Sequence, residues 1–304
     1  MDKLPNFMIV GAAKSGTTSL ADYLKQHPEV YFSDYKEPNY FALAGKDLFH
    51  PGPVSPKVIN YIIYKMSLTD YESYAASYDA VDDEKAVGDA SVRYLYYPDA
   101  PQKIRDKIPD VKIVVMLREP VGRLYSHYCM NVQYQIEPLG LMDALAAEQE
   151  RIAAGWGWDW HYASVSRYSE QIKRYLDIFD ESQLAIYFYD DFVKDPVAVY
   201  QSICRHIGVD DTFVPDMSER GKVASYPRNK ALGRWLSWPS RTRTLFRRMV
   251  PVGLANFVLS NLESWNAIPA PKLDNKTRND IGLMFRDDLI ELEAILGRKT
   301  PWLV

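Results

Sequence analysis

Three short runs of apolar, largely β-branched residues punctuate the first two thirds of the chain, and each is followed by apolar positions at helical spacing. The first run, Phe7 to Val10, ends at Gly11 and reads as a buried strand. Beyond a glycine-containing loop, "TTSLADYLKQHP" puts Leu20, Tyr23, Leu24 and His27 on one stripe, with Pro28 as the stop. The second run, "VKIVVMLREP" at 111–120, closes on Pro120, and "VGRLYSHYCMNVQY" continues as a helix. The third, "QLAIYFYDDF" at 183–192, precedes a helix that opens with Asp195 as N-cap and Pro196 in the first turn. Between the last two, "SRYSEQIKRYLDIF" repeats Tyr168, Ile172, Tyr175, Leu176 and Phe179 at helical spacing. Strands alternating with helices predict an α/β fold: a central parallel sheet, helices on both faces, and ligands at the carboxyl ends of the strands.

The C-terminal third breaks this rhythm. Residues 234–262 are rich in Arg, Trp and Phe. They read either as a face for a membrane surface or an acidic substrate, or as a helical cap with solvated arginines. The final stretch, "DNKTRNDIGLMFRDDLIELEAILG", is predicted as one helix packing Ile281, Met284, Phe285, Leu289 and Leu292 and ending at Gly297.

The 304 residues suit one domain, with an α/β core over 1–210 and a helical cap over 211–304. There is no internal repeat. A net charge of −4 gives no global basic field, so nucleic acid is not expected as a partner and any anion must be held by a local cation cluster. Cys129 and Cys204 lie far apart among apolar neighbours and read as buried free thiols. The N-terminus lacks the shape of a signal peptide and no apolar run approaches membrane-spanning length, which points to a cytoplasmic protein.

The chemistry centres on "GAAKSGTTS", residues 11–19. Gly11 and Gly16 have the spacing of a Walker A loop, but Thr17 stands in the lysine position and Lys14 lies inside the loop. Backbone N–H groups from Ser15 to Thr18 leading into a helix make an anion nest, to which Thr17, Thr18 and Ser19 add hydroxyl donors. The second strand ends at Arg118, where a nucleoside triphosphatase would place a metal-binding carboxylate, so no metal is expected.

"FMIVGAAKSGTTSL" resembles the 5′-phosphosulfate-binding loop of sulfotransferases that use 3′-phosphoadenosine-5′-phosphosulfate (PAPS). "LREPVGRLYSHY" is similar to their 3′-phosphate segment, in which an Arg at a strand end and a Ser eight residues later clasp the 3′-phosphate; here these are Arg118 and Ser126. The match is nearest to the Golgi-type and bacterial enzymes, including the heparan sulfate group, and runs from Asn6 to about Gly208. It implies a P-loop-like fold with PAPS as co-substrate and 3′,5′-adenosine diphosphate as product. Lys14 would contact the bridging oxygen, while Ser15, Gly16, Thr17, Thr18 and Ser19 line the loop. Arg123 is open between a ligand and an internal ion pair.

The same resemblance makes Glu37, in "YKEPNYF", the general base that takes the acceptor's proton. Cytosolic-type relatives use a histidine, but His127 falls in the cofactor segment. "GDASVRYL" resembles an acceptor-lining stretch, with Asp89 and Ser91 as contacts for acceptor or sulfonate; Ala90 stands where the heparan group carries Lys, which weighs against a polyanionic glycan. "RGKVASYPRNKAL" aligns with a late loop over the nucleotide, and Arg220, Lys222 and Arg228 are its candidate cations. The tryptophans of "GWGWDW" read either as an acceptor platform or as core packing. The expected activity is sulfuryl transfer to a hydroxyl, or secondarily an amine, of a glycan, lipid or acyl chain. The competing readings are a P-loop small-molecule kinase and a non-catalytic nucleotide-binding module.

Overall fold

A computed structural model describes residues 3–218 and 224–303. Arg220 and Lys222 lie outside the described residues.

The three apolar runs form strands β1 (Phe7–Gly11), β4 (Lys112–Leu117) and β5 (Leu184–Phe188), joined by β2 (Val30–Phe32) and β3 (Ala86–Asp89). All neighbours are parallel, in the order β2-β3-β1-β4-β5. The chain leaves β1 toward β2 and β3 on one side, then crosses back to β4 on the other. Strand order therefore reverses beside β1, and a crevice opens at its carboxyl end, where residues 11–16 sit.

Both faces of the sheet are covered, which is why the strands are apolar throughout rather than alternating. Side chains alternate all the same. Phe7, Ile9, Val114 and Met116 pack on Leu20 and Leu24 of α1 (Thr17–Leu24) and on Tyr200 and Ile203 of α5 (Pro196–Ile207). Met8, Val10, Ile113 and Val115 face the larger core with α2 (Ala100–Lys107), α3 (Pro120–Gln133) and α4 (Ser169–Leu176). Ile9 is fully buried, and truncation to Ala there would cost on the order of 2–5 kcal/mol. Cys129 and Cys204 are buried and free, as expected.

Two boundaries differ from the sequence pattern. The run at 183–192 stops being a strand at Phe188, and Tyr189–Lys194 is helical with Asp190 and Asp191 in its first turn, where acids complement the helix dipole. The final helix is two, α9 (Asn275–Leu283) and α10 (Arg286–Leu296), because the chain turns at Phe285 to bury that ring. Gly297, at φ 63°, closes α10 in the left-handed conformation that glycine adopts readily.

Residues 224–269 form the cap: β6 (Ser225–Pro227), α6 (Lys230–Ser237), α7 (Arg241–Met249), α8 (Val252–Asn266) and β7 (Ala267–Pro269), with β6 antiparallel to β7. It is pinned to the end of α3. Trp238 Nε1 donates to the Tyr134 carbonyl (2.8 Å), and Gln135 Nε2 donates to the Lys230 carbonyl (2.6 Å). Among the described residues no helix is long and apolar enough to cross a membrane.

Candidate active site

The loop after β1 is built around two close approaches. A Cβ at Gly11 would lie 2.7 Å from Leu95 Cβ, and one at Gly16 only 2.8 Å from the Tyr189 ring. Gly16 also has φ 82°, and Lys14 itself takes φ 68°. A long side chain in the left-handed region is uncommon and concentrates at functional sites. The twist delivers the chain into α1 with no side-chain cap and no acid in the first turn. Those N–H groups are left for an anion. Ser15 Oγ is buried without a partner, and the hydroxyls of Thr17, Thr18 and Ser19 make no hydrogen bond within the described structure. At an uncapped helix N-terminus, an oxygen without a partner is free to meet a ligand atom.

Cations converge here. Arg118 Nη1 donates to the Lys14 carbonyl (2.9 Å), and its guanidinium stacks on Tyr189, 4.9 Å from the ring centroid. Tyr168 OH donates to the Arg118 carbonyl (2.9 Å), fixing the end of β4. Lys14 Nζ lies 3.5 Å from Met130 Sδ of α3, a weak acceptor that leaves its charge uncompensated. Burial lowers the Lys14 pKa, and Arg118 and Arg123 lower it further. Ser126 is half-buried on α3 with no hydrogen-bond partner in the described structure. Arg123 is fully buried; it donates to Ser166 Oγ (2.6 Å) and the Tyr162 carbonyl (2.8 Å), and burial brings its pKa down to about 10. It pairs with no carboxylate and serves as a buried cation behind the loop. The crevice holds more positive charge than its carboxylates offset, an arrangement that an anionic ligand relieves.

Glu37 reaches the same crevice. A cleft lined by Thr17, Thr18, Phe32, Ser33, Lys36 and Glu37 runs from the start of α1 to this carboxylate. Among the described residues no side chain donates to the Glu37 carboxyl, and burial raises its pKa while Arg93, Lys36 and Lys14 pull it back. The segment carrying it is tied down behind. Asn39 N–H donates to Ser91 Oγ (2.9 Å), Asn39 Nδ2 donates to the Glu37 carbonyl (2.9 Å), and Leu68 N–H donates to the Pro38 carbonyl (2.8 Å).

That tether revises the expectation for Asp89 and Ser91. Both are buried and satisfied internally: Asp89 accepts from Tyr74 OH (2.9 Å), Tyr94 OH (2.8 Å) and Ser91 Oγ (2.5 Å). Burial lifts the Asp89 carboxyl to about 6, with the three hydroxyls opposing the rise. Ser91 Oγ, which accepts from Asn39 N–H and donates to Asp89, links the pair to the segment that carries Glu37.

Other expectations fall out unequally. His127 is buried and neutral, its pKa held well below the ordinary value by burial and by Arg123 and Lys14. Arg228 is exposed and stacks on Trp265 (5.0 Å), with no contact to the loop. Trp158 and Trp160 are core: Trp160 Nε1 donates to the Ile136 carbonyl (3.0 Å), and Trp158 packs with Ala13 of the loop. Sequence reasoning overlooked Arg93, a buried arginine paired with Asp159 at 3.1 Å and sandwiched by Tyr64 and Trp158. Its only signal was an Arg inside a stretch otherwise apolar.

The sequence profile of the sulfotransferase family matches residues 5–213. The crystal structure of a sulfotransferase from Alicyclobacillus acidocaldarius superposes with a TM-score of 0.74 at 32% identity, covering 97% of each chain. Among curated relatives, bifunctional heparan sulfate N-deacetylase/N-sulfotransferase 3 of Mus musculus is 22% identical over 98% of this chain and 30% of its own length. Carbohydrate sulfotransferase 15 of Mus musculus is 30% identical over 41% of this chain and 27% of its own length. The chain spans less than a third of the length of these two relatives. With the profile covering more than half of the chain, and the loop, the strand-end arginine and the fold in agreement, this protein belongs to the sulfotransferase family.

Proposed function

We propose that this chain transfers a sulfuryl group from PAPS to a hydroxyl, or secondarily an amine, of its acceptor. The observation that carries the proposal is the crevice beside β1, where an uncapped helix N-terminus, the orphan Ser15 hydroxyl and an under-compensated Lys14–Arg118 pair come together. The residues suit the nucleotide. Ser15, Gly16, Thr17, Thr18 and Ser19 would hold the 5′-phosphosulfate, and Arg118 with Ser126 the 3′-phosphate. The co-substrate supplies a sulfuryl group on a phosphate leaving group. Lys14 offsets the charge that builds on the leaving oxygen, an electrostatic contribution in a site that is already organised. Glu37 takes the acceptor proton; its free carboxyl and tethered backbone fit that role.

The lining of the cleft near Glu37 supports a hydroxylated acceptor. Ser33, Lys36 and Phe32 offer a mixed polar and aromatic surface that suits a hydroxylated glycan, lipid or acyl chain. A small-molecule kinase would require a lysine after Gly16 and a metal-binding carboxylate at the end of β4, where Thr17 and Arg118 stand. The test is release of 3′,5′-adenosine diphosphate from PAPS with a panel of hydroxylated acceptors, beside the Lys14→Ala variant. Acceptor-dependent release by wild type alone supports transfer. Phosphate transfer from magnesium ATP would point to the kinase.

A further inference from the structure

The cap carries a surface that the transfer chemistry does not use. Residues 224–262 contain seven Arg or Lys and no Asp or Glu, a net +7 in a chain whose total is −4. Within this segment the turn from α7 into α8 exposes large apolar side chains: Met249 at 75%, Val252 at 72% and Phe257 at 68% of their surface. Leu245 and Leu254 are also more than half exposed. Singly exposed apolar residues are ordinary on protein surfaces, but five at one helical corner are not.

Helical geometry explains the exposure. α8 buries Ala255, Leu259 and Asn266 against the cap, which leaves Leu254 and Phe257, one turn apart, on the outward face. On α7, Arg243 alone turns inward, donating to the Trp235 carbonyl (2.9 Å) and Tyr61 OH (2.9 Å), and so anchors the helix. Arg241, Arg247 and Arg248 stay outside, with no carboxylate within ion-pair distance among the described residues. Beside them a groove is lined by Tyr61, Ser240, Arg241, Thr244, Leu245 and Arg248. Two guanidinium forks beside three hydroxyls make a fitting seat for a phosphodiester.

We propose that the α7–α8 corner docks on an anionic lipid surface: Met249, Val252, Leu254 and Phe257 enter the interface while Arg241, Arg247 and Arg248 meet the phosphate headgroups. Charge complementarity selects this occupant, since free cations on α7 are followed directly by exposed apolar groups from Met249 into α8. A soluble polyanion would use the arginines and leave the apolar side chains wet. A second copy of this chain would have to bring together two strongly basic surfaces, at a Coulombic cost. The corner follows the general design of interfacial helices, apolar on one side and basic beside it.

The experiment is co-sedimentation of the full chain with phosphatidylcholine vesicles containing about one quarter phosphatidylglycerol, against phosphatidylcholine alone, at low and high salt. Wild type should bind the anionic vesicles at least about tenfold more tightly than the neutral ones and lose most of that binding in high salt. L254S/F257S, changing side chains that are already exposed, should keep its melting temperature and lose about tenfold in vesicle binding. R247E/R248E should lose more, because each basic group near such a surface adds to the attraction. Three results would overturn the proposal: equal binding to both vesicle types, variants that sediment like wild type, or binding of heparin but not vesicles. A wild-type dimer that L254S/F257S converts to monomer would also overturn it, by making the corner a self-interface.

Discussion

Arg118 at the end of β4 donates a hydrogen bond to the carbonyl of Lys14, 2.9 Å away, so two residues 104 positions apart form one cationic unit. The arginine holds the loop that carries the lysine, and among the described residues no carboxylate lies within ion-pair distance of the lysine. In the proposed reaction the two would act differently: Arg118 would charge the site in every state, and Lys14 would matter most when charge moves.

Lys14 destabilises the empty protein. Burial and two arginines lower its pKa, so the charged form is disfavoured in the fold. The sign follows: the native state releases this proton more readily than the unfolded chain, and the penalty is present below the lowered pKa and shrinks as pH rises toward 10.5. Lys14→Met should therefore raise the melting temperature of the ligand-free protein by roughly 2 °C at neutral pH. Turnover should fall on the order of 10²-fold, with product-nucleotide affinity much less affected. Weak nucleotide binding with normal turnover would make Lys14 an ordinary phosphate ligand.

Glu37→Gln keeps the shape of the side chain and removes the proton acceptor. Turnover should drop about 10²–10⁴-fold while nucleotide affinity stays near wild type. In the wild type the rate should climb with pH through a value above the ordinary 4.5, since the base must be ionised and burial raises its pKa. A loss under about threefold would hand the role to another group.

Ser91→Ala tests the tether rather than the base. It strips the acceptor from the buried Asn39 N–H and a donor from Asp89. Stability should fall by about 1–3 kcal/mol, the usual cost of an unsatisfied buried group. Because the Glu37 segment loosens, kcat should fall while the affinity for 3′,5′-adenosine diphosphate holds. An unchanged kcat in a folded variant would remove the positioning role.

Acid should loosen the fold through its buried histidines. His127, His161 and His206 all have lowered pKa values, burial being the largest cause for each. The unfolded chain takes up protons near 6.5 that the native state refuses, so stability is lost as pH falls below 6.5. Asp89 acts with the opposite sign between 3.8 and about 6, because there the native state protonates first. His127 faces Arg123, Lys14, Arg93 and His161, all cationic or potentially so, and should dominate. His127→Gln should flatten the decline in melting temperature between about pH 6.5 and 5. A slope as steep as that of wild type would assign the effect to the other two.

The sheet was legible because its strands are apolar runs: β1 and β5 carry no charged residue and β4 only Lys112 at its start. The loop was legible because glycine spacing records close approaches, here to Leu95 and Tyr189. What the pattern missed is of another kind. The turn at Phe285 depends on which core that ring fills, and the helical stretch from Tyr189 depends on packing over Gly16; neither is encoded in periodicity. Arg93 and Asp159 stand 66 positions apart, and Asp89 was read as a ligand because local sequence cannot show that Tyr74 and Tyr94 occupy it. Long-range polar partners are where sequence reading ran out.

The central claim is that the loop beside β1 and Arg118 form a site for a 3′-phosphorylated nucleotide. The most direct measurement is calorimetric titration of the wild type and of Arg118→Ala with 3′,5′-adenosine diphosphate and, separately, with magnesium ATP. Wild type should bind the former at least about tenfold more tightly if Arg118 and Ser126 hold a 3′-phosphate, which ATP lacks, and Arg118→Ala should erase most of that preference. Equal affinity for the two nucleotides, or a preference that survives the loss of Arg118, would contradict the account.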